Sequence, residues 1–372
     1  MGPIAILGAG GFVGTRLVET LLLGGASEVK AIVRSYRSFA SLARFGSPLT
    51  ITLADAENPA ALAQAIQGCS AVVNLTTGTP ASIQRSTRAI VQACSEAKVP
   101  RFIHMSSAVV YGEVSSPDLA DDAPPLSKHW MPYAKAKSAA EVFLRQRQPS
   151  LPFQLSVLRP GIVWGPRSQH TLHIVNGLLS RSAWLVDQGQ GICNTVYVDN
   201  LVAGILACCV DPGDISGFYN VGDAETITWR DFYAAFAEHC AYDMNRALRV
   251  SGDSFPWSLR SAIDYVQNFP GINALYHIAK TKLPDGLKAS IKARLAGQPV
   301  YDSLAQPYAQ KPSVDRELWH LQKVQYKLPI AKFQKRFGFK PPVSFEQGAR
   351  RACDWLSFLG HKPVAAKLAR ST

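Results

Sequence analysis

The chain has no apolar run approaching the roughly 20 residues that a membrane-spanning helix requires. Its longest apolar run, residues 201–210, suits a buried helix instead. The seven cysteines are odd in number and lack metal-ligand spacing, and the eight histidines are dispersed. The amino terminus enters an apolar strand directly, without a signal-peptide pattern. We therefore expect reduced thiols, no metal site and a cytoplasmic location.

Acidic residues are scarce in the last third of the chain. Of the 39 Lys and Arg and 27 Asp and Glu residues, 21 and 9 respectively follow residue 242, which accounts for the whole net charge of +12. Such a basic region attracts a phosphorylated substrate, an anionic membrane or nucleic acid, unless it is simply a solvated surface. Because no nucleic-acid recognition motif is found, nucleic acid is not an expected partner.

Residues 272–297 lie within this basic region and combine leucine, isoleucine and lysine at near-helical spacing. Pro284-Asp285-Gly286 divides the segment, so two short amphipathic helices are predicted. Three roles are open for them. They could make peripheral contact with a membrane, cover a substrate cleft as a lid, or face a protein partner.

A glycine-rich turn lies between the first predicted strand and a segment with helical spacing. Gly8 permits a tight turn, Gly11 lets the backbone approach a pyrophosphate, and Gly14 allows close packing of helix and strand. The phosphates of a dinucleotide would lie at the helix N-terminus. The predicted cofactor-binding residues of this turn are Gly8, Gly11, Phe12, Val13 and Gly14.

The residues after the second predicted strand, 29–33, indicate which dinucleotide binds. An NAD site usually has an acidic residue there, whereas the 2′-phosphate of NADP needs a cation. Here Arg34 follows the strand and Arg37 lies close behind, while Glu28 precedes the strand and so lies at the wrong edge. We therefore predict that NADP is preferred over NAD. The alternative for Arg34 is a solvated loop position.

Two further predicted strands end at the same edge of the sheet. Strand 49–53 leads to Asp55, which either reaches the adenine amino group or caps a helix. The next strand delivers Leu75, Thr76 and Thr77, which are predicted to contact the cofactor. The alternation of strands and helices predicts an α/β fold, a Rossmann-type doubly wound parallel sheet with its ligand at the carboxyl ends of the strands.

A serine and a tyrosine–lysine pair supply the predicted chemistry. Strand 102–105 leads to Ser107, and Tyr133 and Lys137 are one helical turn apart. A tyrosine with its ordinary pKa of about 10 is a poor base, and the Lys137 cation would favour the phenolate. We predict that Tyr133 exchanges a proton with the substrate oxygen, which Ser107 hydrogen-bonds, while Lys137 also holds the nicotinamide ribose. The alternative is a solvated tyrosine–lysine pair.

Taken together, these motifs resemble the extended short-chain dehydrogenases/reductases of the NAD-dependent epimerase/dehydratase type. The resemblance covers about the first 240 residues and implies that Ser107, Tyr133 and Lys137 are catalytic. It also implies that Pro160, Ile162 and Val163 pass beside the nicotinamide. The matching segments are residues 8–14, 106–112, 133–137, 158–166 and 197–201.

The resemblance implies a division into two domains. Residues 1–165 would form the dinucleotide-binding domain, whose core also draws on about 191–224. Residues 166–190 and 225–372 would form a smaller, mostly helical substrate-binding domain. Family members often dimerise through helices flanking the tyrosine motif, so a homodimer is open.

Two departures from the family bear on the substrate. Ala108-Val109 stands where sugar 4,6-dehydratases carry an Asp-Glu pair, so dehydration is not expected. Cys193 stands where sugar-nucleotide epimerases usually have an arginine for the nucleotide diphosphate. Residues 197–201 also resemble the 3β-hydroxysteroid dehydrogenases, whose substrates are apolar. The predicted substrate contacts are Tyr111, His129, Trp130, Cys193 and Asn194.

The resulting hypothesis is an NAD(P)-dependent oxidoreductase or epimerase that transfers hydride at a secondary alcohol or ketone. A sugar or nucleotide sugar is the first expected substrate because such substrates are frequent in the family. One alternative is an enzyme like the 3β-hydroxysteroid dehydrogenases that acts on an apolar or lipid-linked alcohol. A second alternative is a catalytically silent NADP-binding partner protein.

Overall fold

The computed structural model describes residues 2–26, 28–46, 49–112, 119–256 and 307–361. The predicted amphipathic segment 272–297 lies outside the described residues. Within the described ranges, no helix is both long enough and apolar enough to cross a membrane.

The described residues form short strands alternating with helices. The strands are β1 (Ile4–Leu7), β2 (Val29–Val33), β3 (Leu49–Leu53), β4 (Ala71–Asn74), β5 (Arg101–Met105), β6 (Gln154–Pro160), β7 (Ile162–Trp164), β8 (Trp184–Val186), β9 (Thr195–Tyr197), β10 (Gly217–Val221) and β11 (Leu248–Val250). The α-helices are α1 (Phe12–Leu23), α2 (Tyr36–Phe39), α3 (Pro59–Ala65), α4 (Pro80–Glu96), α5 (Pro132–Arg147), α6 (Gln169–Leu179), α7 (Val198–Val210), α8 (Trp229–Ala237), α9 (Arg316–Gln322), α10 (Ala331–Phe337) and α11 (Phe345–Phe358).

Seven strands form one parallel sheet in the order β10-β6-β5-β4-β1-β2-β3. The chain starts in the middle, builds outward to β3 and then continues on the other side of β1 from β4. This reversal of strand order between β1 and β4 is the position at which doubly wound sheets bind ligands. The predicted fold class is therefore confirmed. Two further parallel pairs join β7 with β9 and β8 with β11.

Apolar side chains cover both faces of the sheet, as a buried parallel sheet requires. Successive residues of a strand point to opposite faces, so Ile6 packs in one apolar cluster and Leu7 in the other. Helices α1 and α7 contribute to the first cluster, and α4 and α5 to the second. The predicted buried helix around residues 201–210 is confirmed as part of α7.

Side chains at the helix N-termini fix where several helices begin. Thr228 and Asp231 form a capping box at the start of α8, and Ser344 and Gln347 form one at the start of α11. Asn58 accepts a hydrogen bond from Ala61 N–H at the start of α3. Each cap satisfies backbone N–H groups that the helix itself leaves unpaired.

The chain divides into two compact units. One unit comprises residues 1–168, 194–226 and 326–348, and the other comprises residues 169–193, 227–325 and 349–372. The sequence-based division differs in residues 326–348, which were predicted for the substrate domain but lie in the unit that contains the large sheet. The physical reason is aromatic packing, because the Phe333 ring of α10 lies 5.7 Å from Tyr219 of β10 and 5.1 Å from Phe339.

An ion pair without solvent access joins α5 to the sheet. The Arg159 guanidinium of β6 contacts the Glu141 carboxylate at 2.5 Å, and both side chains are 0% exposed. Arg159 also donates to the Tyr111 hydroxyl at 2.6 Å, and Ser106 Oγ donates to Glu141 at 2.6 Å. The Tyr111 hydroxyl in turn donates to Asn220 Oδ1 of β10. Each buried charge therefore has several hydrogen-bond partners, which is the condition for burying charge at acceptable cost.

Replacing Arg159 by methionine should strongly destabilise the protein, because the Glu141 carboxylate would remain buried without its partner. We expect the free energy of unfolding to fall by about 3–5 kcal/mol. Urea denaturation monitored by circular dichroism would measure the change in the free energy of unfolding.

The matched control is Arg85→Gln, which breaks the solvent-exposed pair between Arg85 and Glu57. This exposed pair should contribute at most about 1 kcal/mol. Removing both buried charges, with Glu141→Leu added to Arg159→Met, should cost less than Arg159→Met alone. Equal small losses from Arg85→Gln and Arg159→Met would contradict this account of the buried pair.

Candidate active site

The glycine turn connects β1 to α1 as predicted. Gly8 has φ of +79°, a conformation that side chains disfavour, and its backbone lies against Leu75 at the end of β4. A Cβ atom on Gly14 would lie 2.3 Å from the Gly8 carbonyl oxygen, so only glycine allows α1 to begin this close to the strand. Gly11, which precedes α1, is exposed.

The N-terminus of α1 is suited to an anion. Gly11 is at the N-cap position and has no side chain that could pair with the N–H groups of the first turn, which also contains no acidic residue. The N–H groups of the first turn, which includes Phe12 and Val13, lack partners within the helix and carry the positive end of its dipole. A diphosphate at this position would gain hydrogen bonds and favourable electrostatics together.

The carboxyl ends of β2 and β3 present charged residues. Arg34 follows β2, is exposed and makes no hydrogen bond or ion pair with the described residues, and Arg37 lies in α2. Asp55 is exposed and accepts a hydrogen bond from Glu57 N–H at 3.0 Å. It is not the cap of α3, because that position belongs to Asn58.

Glu57 lies close to this group of charges. Its carboxylate accepts hydrogen bonds from Arg85 Nε and Ser82 Oγ, both at 2.6 Å. The pKa of Glu57 is lowered, first by Arg85, then by Ser82, with a smaller contribution from the Arg34 charge. Sequence reasoning missed Glu57, since nothing in the local pattern showed that Arg85 of α4 would come to its side.

Two buried polar residues support the turn after β4, and the sequence motifs did not single out Asn74. Asn74 Oδ1 accepts hydrogen bonds from both the N–H and the hydroxyl of Thr76 at 3.0 and 2.7 Å. Asn74 Nδ2 lies 3.1 Å from His104 Nδ1. Burial lowers the pKa of His104, helped by the nearby Lys137 charge, so the ring is neutral and can accept this bond. His104 therefore supports this turn from within the core, while Thr77 is exposed beyond it.

The tyrosine–lysine pair lies on the first turns of α5. Lys137 Nζ is 5.9 Å from the centre of the Tyr133 ring and donates to the Met105 carbonyl oxygen of β5 at 2.8 Å. Lys137 is buried, and desolvation lowers its pKa to about 8, against an opposing contribution from Glu141. The alternative of a solvated tyrosine–lysine pair does not apply, because Lys137 is buried.

Ser107 follows β5 two residues after Met105, so Lys137 is bonded to the strand that carries the predicted catalytic serine. Ser107 is partly exposed, and its Oγ accepts a hydrogen bond from Val109 N–H at 3.3 Å. That bond uses an oxygen lone pair and leaves the hydroxyl hydrogen available for another acceptor.

Pro160, Ile162 and Val163 continue from β6 into β7, whose first N–H donates to the Asn194 carbonyl oxygen at 2.7 Å. Ile162 and Val163 are partly exposed, whereas Pro160 is buried. Asn194 is partly exposed, and its role as a substrate contact stays a prediction. Its side chain bonds the backbone of Tyr326 at 3.0 Å and of Leu328 at 2.7 Å.

The structure corrects two predicted substrate contacts. Tyr111 is 1% exposed, and its hydroxyl is engaged by Asn220 and Arg159, so it supports the site from within the core. Cys193 is 0% exposed, and its backbone pairs with Ile227. The position of both residues beside sequence motifs indicated that they lie near the site, but it did not show that their side chains point into the core.

His129 and Trp130 precede α5 and are both partly exposed. His129 Nε2 lies 2.7 Å from Ser138 Oγ and 3.0 Å from the Leu126 carbonyl oxygen. These contacts hold the His129 ring against the helix that carries Tyr133. Their role as substrate contacts stays a prediction. Within the described ranges, no group of three His, Cys, Asp or Glu residues is arranged to hold a metal ion.

Comparisons with known proteins agree with this geometry. Residues 8–170 match the family model described as NAD(P)H-binding. The chain is 25% identical over 246 residues to a ketoreductase of Stigmatella aurantiaca that acts on 4-hydroxy-2-methyl-3-oxo-4-farnesyl-3,4-dihydroquinoline-1-oxide; the match covers 63% of this chain and 72% of that protein. It is 27% identical over 213 residues to the N-acetyl-alpha-D-glucosaminyl-diphospho-ditrans,octacis-undecaprenol 4-epimerase of Escherichia coli O157:H7, covering 54% of this chain and 60% of that protein.

Among solved structures, dTDP-glucose 4,6-dehydratase from Streptomyces venezuelae with bound NAD shares the fold, with a TM-score of 0.68 at 18% identity and coverage of 96% of this chain and 97% of that one. These similarities agree with the predicted resemblance to the extended short-chain dehydrogenases/reductases, and the predicted cofactor class is confirmed, because the chain is an NAD(P)-binding enzyme.

Proposed function

We propose that the protein transfers hydride between a nicotinamide cofactor and a secondary alcohol or ketone, with Tyr133, Lys137 and Ser107 as the catalytic residues. The observation that carries this proposal is the buried Lys137 ammonium group, which lies beside the Tyr133 ring and is bonded to the strand that leads to Ser107. Burying a lysine charge is costly, since the ammonium group loses its hydration, and such groups are frequent at active sites.

In the proposed reaction, Tyr133 donates a proton to the substrate oxygen in the reducing direction and removes it in the oxidising direction. Ser107 donates its hydroxyl hydrogen to the same oxygen, which its bond from Val109 N–H leaves possible. The Lys137 charge stabilises the phenolate form of Tyr133. The dinucleotide supplies or accepts the hydride when it is bound.

The cofactor would be held along the carboxyl ends of the central strands. The uncapped N-terminus of α1 would bind its diphosphate, and the turn fixed by Asn74 and Thr76 would border it. Leu75 packs against Gly8, which brings this turn next to the glycine turn. We propose NADP as the preferred form, because Arg34 at the end of β2 makes no ion pair with a carboxylate of the described residues and can bind a 2′-phosphate.

The substrate proposed first is a sugar or nucleotide sugar, as in the Streptomyces venezuelae dehydratase and the Escherichia coli epimerase. Dehydration itself is not proposed, because Ala108 and Val109 offer no carboxylate beside Ser107. If hydride returned to the opposite face of the oxidised carbon, the enzyme would be an epimerase.

A second candidate substrate is an apolar or lipid-linked alcohol or ketone. The observation in its favour is that two relatives act on molecules with a farnesyl or an undecaprenol group. The arginine that usually binds the nucleotide diphosphate in sugar-nucleotide epimerases is also absent, since Cys193 stands at that position and is fully buried.

Replacing Tyr133 by phenylalanine should lower kcat by about 10²–10⁴-fold, because proton transfer loses its donor while the ring remains. The affinity for NADPH, measured by the change in NADPH fluorescence on binding, should stay unchanged. Turnover would be measured with nucleotide sugars and with alkyl or prenyl ketones, so that the same assay distinguishes the two substrate classes.

Tyr308→Phe is the control for general loss of a tyrosine hydroxyl, since that hydroxyl bonds only Arg181 and Asp243 among the described contacts. It should leave kcat unchanged. Undiminished turnover by Tyr133→Phe would refute the mechanism. Tight NADPH binding without turnover of any substrate by the wild-type protein would favour the silent binding partner.

The rate of ketone reduction should fall as the pH rises through about 8. Burial lowers the pKa of Lys137 to about 8, so the required ammonium form predominates below that pH and is lost above it. We expect kcat/KM to decline about tenfold per pH unit on the alkaline side.

The Lys137→Arg variant tests this assignment, because a guanidinium remains charged over the whole accessible range. Its rate will be lower if the fit is imperfect, but the decline near pH 8 should disappear. The same decline in both proteins would show that another group causes it.

Replacing Arg34 by leucine should weaken NADPH binding by about 10–100-fold and leave NADH binding unchanged. The expected loss corresponds to one charge-assisted hydrogen bond to the 2′-phosphate, about 1.5–3 kcal/mol. Lys30→Met is the matched control, because Lys30 lies near the start of β2, away from Arg34, and donates to the Gln67 carbonyl oxygen. It should change neither affinity. Equal weakening of both cofactors by Arg34→Leu would remove Arg34 from the role of selecting NADP.

A further inference from the structure

A small polar cavity lies within the second unit, in a part of the chain that the proposed reaction does not use. Its volume is about 160 Å³. The cavity lies between the end of β8, the start of α8 and the segment that enters β11. Its lining residues are Leu185, Gln188, Gln190, Arg230, Met244, Asn245, Ala247 and Arg249.

Within the described ranges, neither arginine of this lining has a carboxylate counterion. Among the described residues, Arg249 makes no hydrogen bond or ion pair, and Arg230 makes one long contact to Asn245 Oδ1 at 3.4 Å. None of the described residues that line the cavity carries a carboxylate. By contrast, Arg336 of the first unit is paired with Asp211. Two guanidinium groups on one cavity repel each other unless an anion lies between them.

The neighbouring loop is held in a conformation that non-glycine residues disfavour. Asp187 and Gln188 have φ of +43° and +63°. Asp187 Oδ1 accepts a hydrogen bond from Gly252 N–H at 2.9 Å, and a Cβ on Gly189 would lie 2.8 Å from Arg230 N. The loop is thus fixed against the start of α8, so Gln188 and Gln190 line the cavity from a constrained backbone.

The lining defines the chemistry of a ligand. Guanidinium groups bind phosphate through paired hydrogen bonds, and the three side-chain amides add both donors and acceptors. The volume is below the roughly 300–1,000 Å³ of sites for drug-sized ligands, so the bound group must be compact. Leu185, Met244 and Ala247 supply an apolar part of the wall.

We propose that this cavity, here called the arginine cavity, binds the phosphate group of a small anion through Arg230 and Arg249. The inference does not depend on the proposed reaction, because none of the lining residues belongs to the glycine turn or to the Tyr133–Lys137 helix. The ligand is either inorganic phosphate or diphosphate, or a small phosphorylated metabolite.

Isothermal titration calorimetry of the full chain would test the proposal, with sodium phosphate, sodium diphosphate and glycerol 3-phosphate as probes at constant ionic strength. We expect saturable binding of at least one probe. Arg230→Gln and Arg249→Gln should each weaken it by about tenfold or more, as expected for the loss of a charge-assisted hydrogen bond. Tighter binding of glycerol 3-phosphate than of phosphate would identify a phosphorylated metabolite as the natural class.

Arg246→Gln is the matched control, because Arg246 is a neighbouring exposed arginine that stacks on Tyr308 and does not line the cavity. It should leave the affinity unchanged. Thermal unfolding without phosphate would show whether each variant is folded, and the two single variants provide independent evidence if one is not.

A second control separates this cavity from the dinucleotide site, which also binds phosphate groups. Binding at the arginine cavity should persist in Arg34→Leu and in protein saturated with NADPH. Absence of saturable binding would overturn the proposal. It would also be overturned if Arg246→Gln weakened binding as much as Arg249→Gln, or if saturation with NADPH abolished it.

Discussion

The buried ion pair between Glu141 and Arg159 is the interaction on which the geometry of the candidate active site depends. Glu141 lies one helical turn after Lys137 on α5, and Arg159 immediately precedes Pro160 at the end of β6. Because both charges are inaccessible to water, neither side chain can leave its partner without a large energetic cost. Ser106 donates to the same carboxylate, so the residue next to Ser107 has the same anchor.

The position of Lys137 follows from this arrangement. Once Glu141 holds α5 against the sheet, the lysine one turn earlier is directed into the interior and donates to the Met105 carbonyl of β5. Its ammonium group gains this one carbonyl and the field of Glu141, but it loses hydration, and desolvation is the larger effect on its pKa. The same packing that orders the helix therefore brings the charge of Lys137 into the pH range where enzymes operate.

The sequence predicted the parts of this site that depend on local spacing. The glycine turn, the Ser107 strand and the Tyr133–Lys137 pair are set by residues within one turn or one helix. Tyr111 could not be placed in this way, because its burial depends on Arg159 and Asn220, which are 48 and 109 residues away. The parallel, doubly wound sheet followed from the alternation of strands and helices, whereas the packing of residues 326–348 depended on distant aromatic contacts.

Asp223 illustrates why the remaining contacts were not predictable. This buried carboxylate after β10 accepts hydrogen bonds from the Trp164 indole, the Thr195 hydroxyl and the Asn200 amide. Its donors lie on β7, β9 and α7, and no local pattern distinguishes it from a surface aspartate. Through its bond from Trp164, Asp223 fixes the end of β7 directly after Ile162 and Val163. An aspartate reveals such a role only when the fold has brought its donors together.

The arginines of the chain can be divided according to whether each one contacts a carboxylate within the fold. Arg16, Arg159 and Arg336 each contact a carboxylate, namely Asp199, Glu141 and Asp211, and their charges are compensated within the fold. Arg34 and Arg249 have no such partner among the described residues. An uncompensated guanidinium costs the fold little in water, but it gains most from an external anion. Net charge alone could not separate these two groups, because it counts every arginine equally; the pairing of each one decides whether it stabilises the fold or is available to a ligand.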